Sequence, residues 1–264
     1  MHGVAHFAPG ALGMVVVLAS GPARALDSPD GRDSARPCRP TVSCTADFTT
    51  PGTFEVEAGG VYSGRGDGTR QASFPILFKQ TLARVVQLQV GSNGYTVLDA
   101  APPARYFDNV FFGPKLHLHD QGEAWPSLSL SALASVPTFR RGGYTRNDDA
   151  FFTAFASKDL GPWHADFNAG LNVWRLGEAQ LQEFAALALS TALSPLFSVA
   201  FEGYAFSDAA SAAGRDAGGR IALAVAARSW LVADLGGDVG AFPSTRAYSF
   251  FLGATVIPAV LWRP

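Results

Sequence analysis

Lys115, His117 and His119 occupy every second position of one short stretch, and His164, Asp166, Asn168 and Asn172 keep the same even spacing in another. On an extended strand that spacing puts all members of a set on one face, so each stretch presents a row of amine, imidazole, carboxylate or amide groups. One chemistry open to such a row is metal binding, with His117 and His119 joined by a carboxylate from elsewhere. The spacing places no third ligand, and neither a metal nor another cofactor is expected. The other chemistry is that of a polar passage, in which the row lines a constriction or binds a solute. A simpler reading remains beside it: the interior of a closed, hydrated sheet is polar anyway. Glu55, Glu57, Gln87, Gln89, Glu183 and Glu202 are assigned to the same inward set, as are Asp234 and Asp238. A ring of such charges would tune ion or solute selectivity, whereas interstrand ion pairs would close the passage.

Catalysis finds little support. The sequence contains no G-x-S-x-G, H-E-x-x-H or G-x-x-x-x-G-K pattern. A hydrolase acting on membrane lipid would need a Ser–His pair reachable from the lipid side. Every strand histidine has inward parity, so the chain is not expected to be an enzyme. Arg65-Gly66-Asp67 is the tripeptide read by integrin-type receptors, but in the glycine-rich run SGRGDGTR three residues arise easily by chance. Cys38 and Cys44 are the only two cysteines; a local disulfide is favoured over free thiols if the chain reaches an oxidising compartment.

Rows of this kind need strands to hold them. Between Trp163 and Trp174, Trp163, Ala165, Phe167, Ala169, Leu171 and Val173 share one face, while His164, Asp166, Asn168, Gly170 and Asn172 share the other. Leu128, Leu130, Ala132 and Ala134 oppose Ser127, Ser129, Ser131 and Ser135, and Val86, Leu88 and Val90 oppose Gln87 and Gln89. Hydrophobic residues make up 48% of the chain and charged ones only 16%, with 20 Phe and 28 Gly. So little charge beside so much apolar surface calls for an apolar solvent or a very large core; soluble domains carry about 25% charged residues. A formal net charge of −2 gives no basic footprint, so nucleic acid is not an expected partner.

Strands are predicted near 53–62, 71–81, 84–91, 108–119, 125–136, 149–158, 163–174, 180–192, 197–207, 219–227, 231–238 and 247–257. Long connections (63–70, 92–107, 137–148, 208–218 and 239–246) alternate with short ones, and 175–179 is the exception. That alternation is the signature of an outer-membrane barrel. The expected fold is therefore all-β: a transmembrane antiparallel up-and-down β-barrel of about 12 strands, or 10 if one hairpin is miscounted, spanning 53–264. Residues 184–201 carry no charge and tempt a helical reading, but Ser194-Pro195 is a turn signal, and the segment reads as two strands. Residues 1–25 read as a signal peptide, with the apolar core Ala11–Ala19 before Ala23-Arg24-Ala25. Residues 26–52, rich in Pro, Ser, Thr and Arg, read as a periplasmic lead-in.

Several ordered stretches resemble one known family. They are Thr49-Thr50-Pro51-Gly52-Thr53-Phe54-Glu55-Val56-Glu57, then Phe107-Asp108-Asn109-Val110 before Gly113-Pro114-Lys115, then Trp125-Pro126-Ser127-Leu128-Ser129-Leu130 and Val136-Pro137-Thr138. Ser157-Lys158-Asp159-Leu160-Gly161 and Phe167-Asn168-Ala169-Gly170 complete the set. In order and spacing they resemble the transporter-like outer-membrane barrels of the MetA-pathway-of-phenol-degradation family. The resemblance implies an outer-membrane barrel that passes small hydrophobic or aromatic compounds.

The expected function is thus a channel or transporter for small solutes in the outer membrane of a Gram-negative cell. Membrane lipids and a small-molecule solute are the expected partners, and both termini are expected in the periplasm. The alternative is a structural or surface-interaction barrel whose lumen is plugged.

Overall fold

The computed structural model describes residues 34–39, 41–100, 103–136, 149–176, 178–208 and 214–263. The expected signal peptide and the 137–148 loop lie outside the described residues.

Fifteen strands follow in chain order: β1 (Thr53–Gly64), β2 (Arg70–Ser73), β3 (Ile76–Ala83), β4 (Val86–Ser92), β5 (Tyr95–Asp99), β6 (Ala104–Phe107), β7 (Val110–His119), β8 (Ser127–Val136), β9 (Ala150–Leu160), β10 (Trp163–Leu176), β11 (Glu178–Ala192), β12 (Phe197–Phe206), β13 (Asp216–Arg228), β14 (Leu231–Gly240) and β15 (Tyr248–Val260). All pairings are antiparallel and follow chain order around the wall, except that β4 pairs with β7 past the β5–β6 excursion, and β1 closes the ring by pairing with β15 from Thr53↔Val260 to Gly64↔Tyr248. The wall has twelve staves, as the alternating pattern predicts. Closure leaves no edge, so each backbone N–H and C=O in the wall finds its partner without water.

Which side chains face outward decides the solvent. Phe250 is 62% exposed, Leu252 67%, Ile221 55% and Leu235 55%, whereas Glu55 is 0%, Glu57 1% and Lys115 1% exposed. This arrangement inverts that of a soluble protein, in which Lys and Glu stay in water and large apolar side chains cluster inside. An apolar band around the whole wall far exceeds the few hundred Å² that soluble monomers tolerate. The band belongs in lipid.

Three local features depart from the even pattern. The second stave breaks at Phe74-Pro75: β3 pairs with β1 and β4, while β2 pairs with β1 and turns away to β5. Proline has no N–H for a ladder, so the stave splits there. The 92–107 segment, expected as an irregular loop, contains the β5–β6 hairpin that extends this branch. Between β10 and β11 the loop is short because the strands themselves are long, 14 and 15 residues.

Candidate functional site

The barrel is not empty. The segment before β1, read from the sequence as a periplasmic lead-in, enters it and is held by the inward faces of the wall. It begins beside β1 and β3. Lys79 Nζ lies 2.8 Å from Glu55 and 2.5 Å from Glu57, and donates to the Arg36 carbonyl at 2.6 Å. Glu55 accepts from the Arg36 N–H at 3.2 Å, and Glu57 from the consecutive N–H groups of Cys38 (2.9 Å) and Arg39 (3.1 Å). Two successive amides on one carboxylate form an anion-holding concavity turned to a structural use.

Arg39 lies on the adjoining wall formed by β15 and β14, donating to the Leu252 carbonyl at 3.1 Å and pairing with Asp234 at 3.5 Å. Gly59 and Gly253 face each other across β1 and β15 at this point, and a Cβ on either would come within 2.6 Å of the guanidinium. Cys38 and Cys44 are joined by a disulfide, which closes a small loop in the segment. At the far side of that loop Glu202 accepts from Val42 N–H (2.8 Å), Ser43 N–H (2.6 Å) and the Ser43 hydroxyl (2.8 Å).

The chain then runs along β7, β8 and β9. Lys115 Nζ donates to the Thr45 carbonyl at 2.5 Å and sits 4.1 Å from the centroid of the Phe155 ring. The buried ammonium thus rests on a carbonyl and an aromatic face. Ser129 donates to the Ala46 carbonyl and Ser127 to Asp47, both at 2.5 Å, while Ala46 N–H donates to Ser157 at 2.7 Å. Serine at positions 127, 129 and 131 of β8 leaves the width that a second backbone needs here. Thr49 then meets Thr81 at 2.8 Å, Gln87 donates to Thr81, and Gln89 donates to Gln87.

The histidines do not come together. His117 reaches Ser129 (3.2 Å) and Asp120 (2.8 Å), whereas His164 lies between Asp159 (2.6 Å) and Asp166 (3.2 Å). A register shift between His117 and His119 pairs His119 opposite Leu128, which takes it out of the inward row and leaves it exposed. One extra residue in a strand turns the following side chain to the other face. Among the described residues no group of three His, Cys, Asp or Glu is placed to hold a metal ion. Ser157 donates to Asp166 at 2.5 Å, so a carboxylate stands between serine and imidazole, the reverse of a nucleophile–base relay.

Asn168 and Asn172 are buried farther along β10, and Asn172 donates to Gln182 at 3.1 Å. Glu183 departs from the reading that placed it in the lumen: it is exposed, pairs with Leu171, and shares the outward face with Leu181 and Leu187. Its neighbour Gln182 is the inward residue. Glu183 lies near the loop end of β11, where a carboxylate meets water without entering the barrel.

Above the inserted segment an ionic chain leads toward the long-loop end. Arg220 lies 3.7 Å from Glu202 and 2.8 Å from Asp238; Asp238 also accepts from Ser249 (2.6 Å) and is 3.6 Å from Arg246, which pairs with Asp216. Gly236 makes room for Phe251, whose ring lies 4.9 Å from the Arg220 guanidinium carbon. Lys79, Ser157, Arg220, Arg246 and Asp216 were absent from the predicted lumen set. Parity alone would have admitted Lys79, which shares its face with buried Thr81 and alternates with Phe78 and Gln80. Arg65-Gly66-Asp67 occupies an exposed turn, where the Thr69 N–H donates to Asp67 at 2.8 Å and holds its carboxyl below the usual range.

The sequence matches no protein-family model and no curated protein. Among solved structures, an outer-membrane channel (COG4313) from Pseudomonas putida F1 superposes with a TM-score of 0.60 at 12% identity, over 80% of this chain and 97% of that one. A KdgM porin aligns with a TM-score of 0.47 at 7% identity, over 77% and 98%. The translocator domain of the autotransporter NalP from Neisseria meningitidis aligns with 0.43 at 11% identity, over 77% and 88%. At these identities the first likeness bears on the fold alone: this chain has the architecture of an outer-membrane β-barrel.

Proposed function

We propose that the protein is an outer-membrane channel for small solutes whose own N-terminal segment stoppers the lumen. The supporting observation is how the segment is held. Its bonds to the wall run through carboxylates, two ammonium groups, a guanidinium and hydroxyls, with the one disulfide inside the segment itself. Bonds of that kind exchange with water as the segment leaves, and the wall it would expose is already polar. The family resemblance favours hydrophobic or aromatic compounds, and the charged wall supports those that retain a polar group. β1 begins and β15 ends at the short-turn end, which corresponds to the periplasmic side in this reading.

The same fit supports a second reading, a permanently stoppered barrel with a structural or surface role. Planar-bilayer recordings of the processed protein and of a variant lacking residues 34–50 separate the two. The channel reading expects stable, discrete conductance steps from the deletion variant and rarer openings from the parent. A correctly folded deletion variant that stays silent would sink it.

A further inference from the structure

At the long-loop end two connections clasp each other. Gly66 N–H donates to the Pro243 carbonyl at 2.7 Å, and Ala247 N–H to the Gly64 carbonyl at 2.8 Å. Between them lies a polar cavity of about 170 Å³, which Ser63, Arg65, Arg70, Asp216, Thr245 and Arg246 help to line. Its volume equals about six waters' share of the liquid.

Three arginines against one carboxylate make the lining basic. Arg246 pairs with Asp216 through one nitrogen and one oxygen, yet its Nε and the Asp216 Oδ1 are buried without a hydrogen-bond partner. A donor and an acceptor thus remain unused beside two further guanidinium groups. Unmade bonds at buried charged groups are costly, and a ligand that makes them gains what the protein lacks. Guanidinium groups match a carboxylate in shape and charge, and the spare Asp216 oxygen matches a hydroxyl donor.

We propose that this cavity is a binding site for small hydroxycarboxylates at the outer mouth of the barrel. The carboxylate sits among Arg65, Arg70 and Arg246, and the hydroxyl donates to Asp216. The inference deepens the channel reading by naming a solute class, but its test does not require conduction.

Titration calorimetry of the full chain in detergent, with lactate as probe and glycerol as its uncharged counterpart, tests the site. Lactate should bind saturably at one site per chain, and glycerol should not bind. Arg65→Ala and Arg70→Ala remove exposed side chains that the barrel wall does not use, and each should weaken lactate by about tenfold. Asp216→Asn should narrow the preference for lactate over propionate, which lacks the hydroxyl. Absent saturation, equal heats from glycerol, or affinities untouched by both arginine variants would overturn the site. If lactate binds and the segment-deleted barrel never conducts, the site stands and the channel reading falls.

Discussion

Replacing Glu202 by Gln should loosen the inserted segment without loosening the barrel. Glu202 accepts three hydrogen bonds from Val42 and Ser43, at 2.6 to 2.8 Å. Glutamine keeps the shape but removes the charge and turns one acceptor oxygen into an N–H₂ group; with its oxygen toward Ser43 it loses the bond from Val42 and keeps two, now to a neutral acceptor. One bond to a charged group lost at about 2 kcal/mol, and two weakened to neutral bonds at about 0.5 kcal/mol each, give a loss of about 3 kcal/mol. That corresponds to a segment about a hundredfold more often detached, at about 1.4 kcal/mol per factor of ten. Arg220 keeps Asp238 as its partner at 2.8 Å, so the wall retains its own pairing. Hydrogen exchange read by mass spectrometry on the 34–50 peptides should quicken by about that factor. Peptides from β10 and β11 should not change. Unaltered exchange in the segment, with the substitution verified and the barrel folded, would refute the view that Glu202 holds the segment in place.

Three further outcomes follow from the same geometry. Lys115→Met removes the bond to the Thr45 carbonyl but also a buried charge, so exchange at Thr45 and Ala46 should rise by about tenfold, a net loss near 1 kcal/mol, while the thermal midpoint of the barrel stays put; a collapse of the whole barrel would show that Lys115 supports the wall instead. Deleting residues 34–50 bares Glu55, Glu57, Glu202 and Asp234 against Lys79 and Lys115, so the reversal potential in a KCl gradient should report cation selectivity; anion selectivity would contradict the assigned lining. Leu252→Arg, on the outward face, should cost about 2–4 kcal/mol in urea unfolding from lipid vesicles if that face lies near mid-bilayer, and a neutral effect would argue against contact with lipid there.

Much of the wall was legible because its code is local. In a strand, parity alone separates Leu88 and Val90 from Gln87 and Gln89, and the structure places these on opposite faces. The reading slipped where a local irregularity interrupts parity or where residue type was allowed to outweigh it. The shift before His119 has no plain mark in the sequence. Glu183, by contrast, has the same parity as Leu181 and Leu187, so strict parity would have placed it outside. The break at Phe74-Pro75 was marked by the proline, but where the freed strand would pair was not.

By itself, then, the sequence determined the repeating unit: extended segments with one oily and one polar face, joined by alternately long and short connections, which in lipid leave a closed ring as the stable solution. Only the tertiary structure decided what that ring encloses. Ser43 meets Glu202 across 159 residues and Arg39 meets the Leu252 carbonyl across 213, contacts that exist because the chain closes on itself. Period-two patterning records which face a residue takes, but not which distant backbone arrives there. The stopper in the lumen and the basic cavity at its mouth are products of closure, and no single strand encodes either.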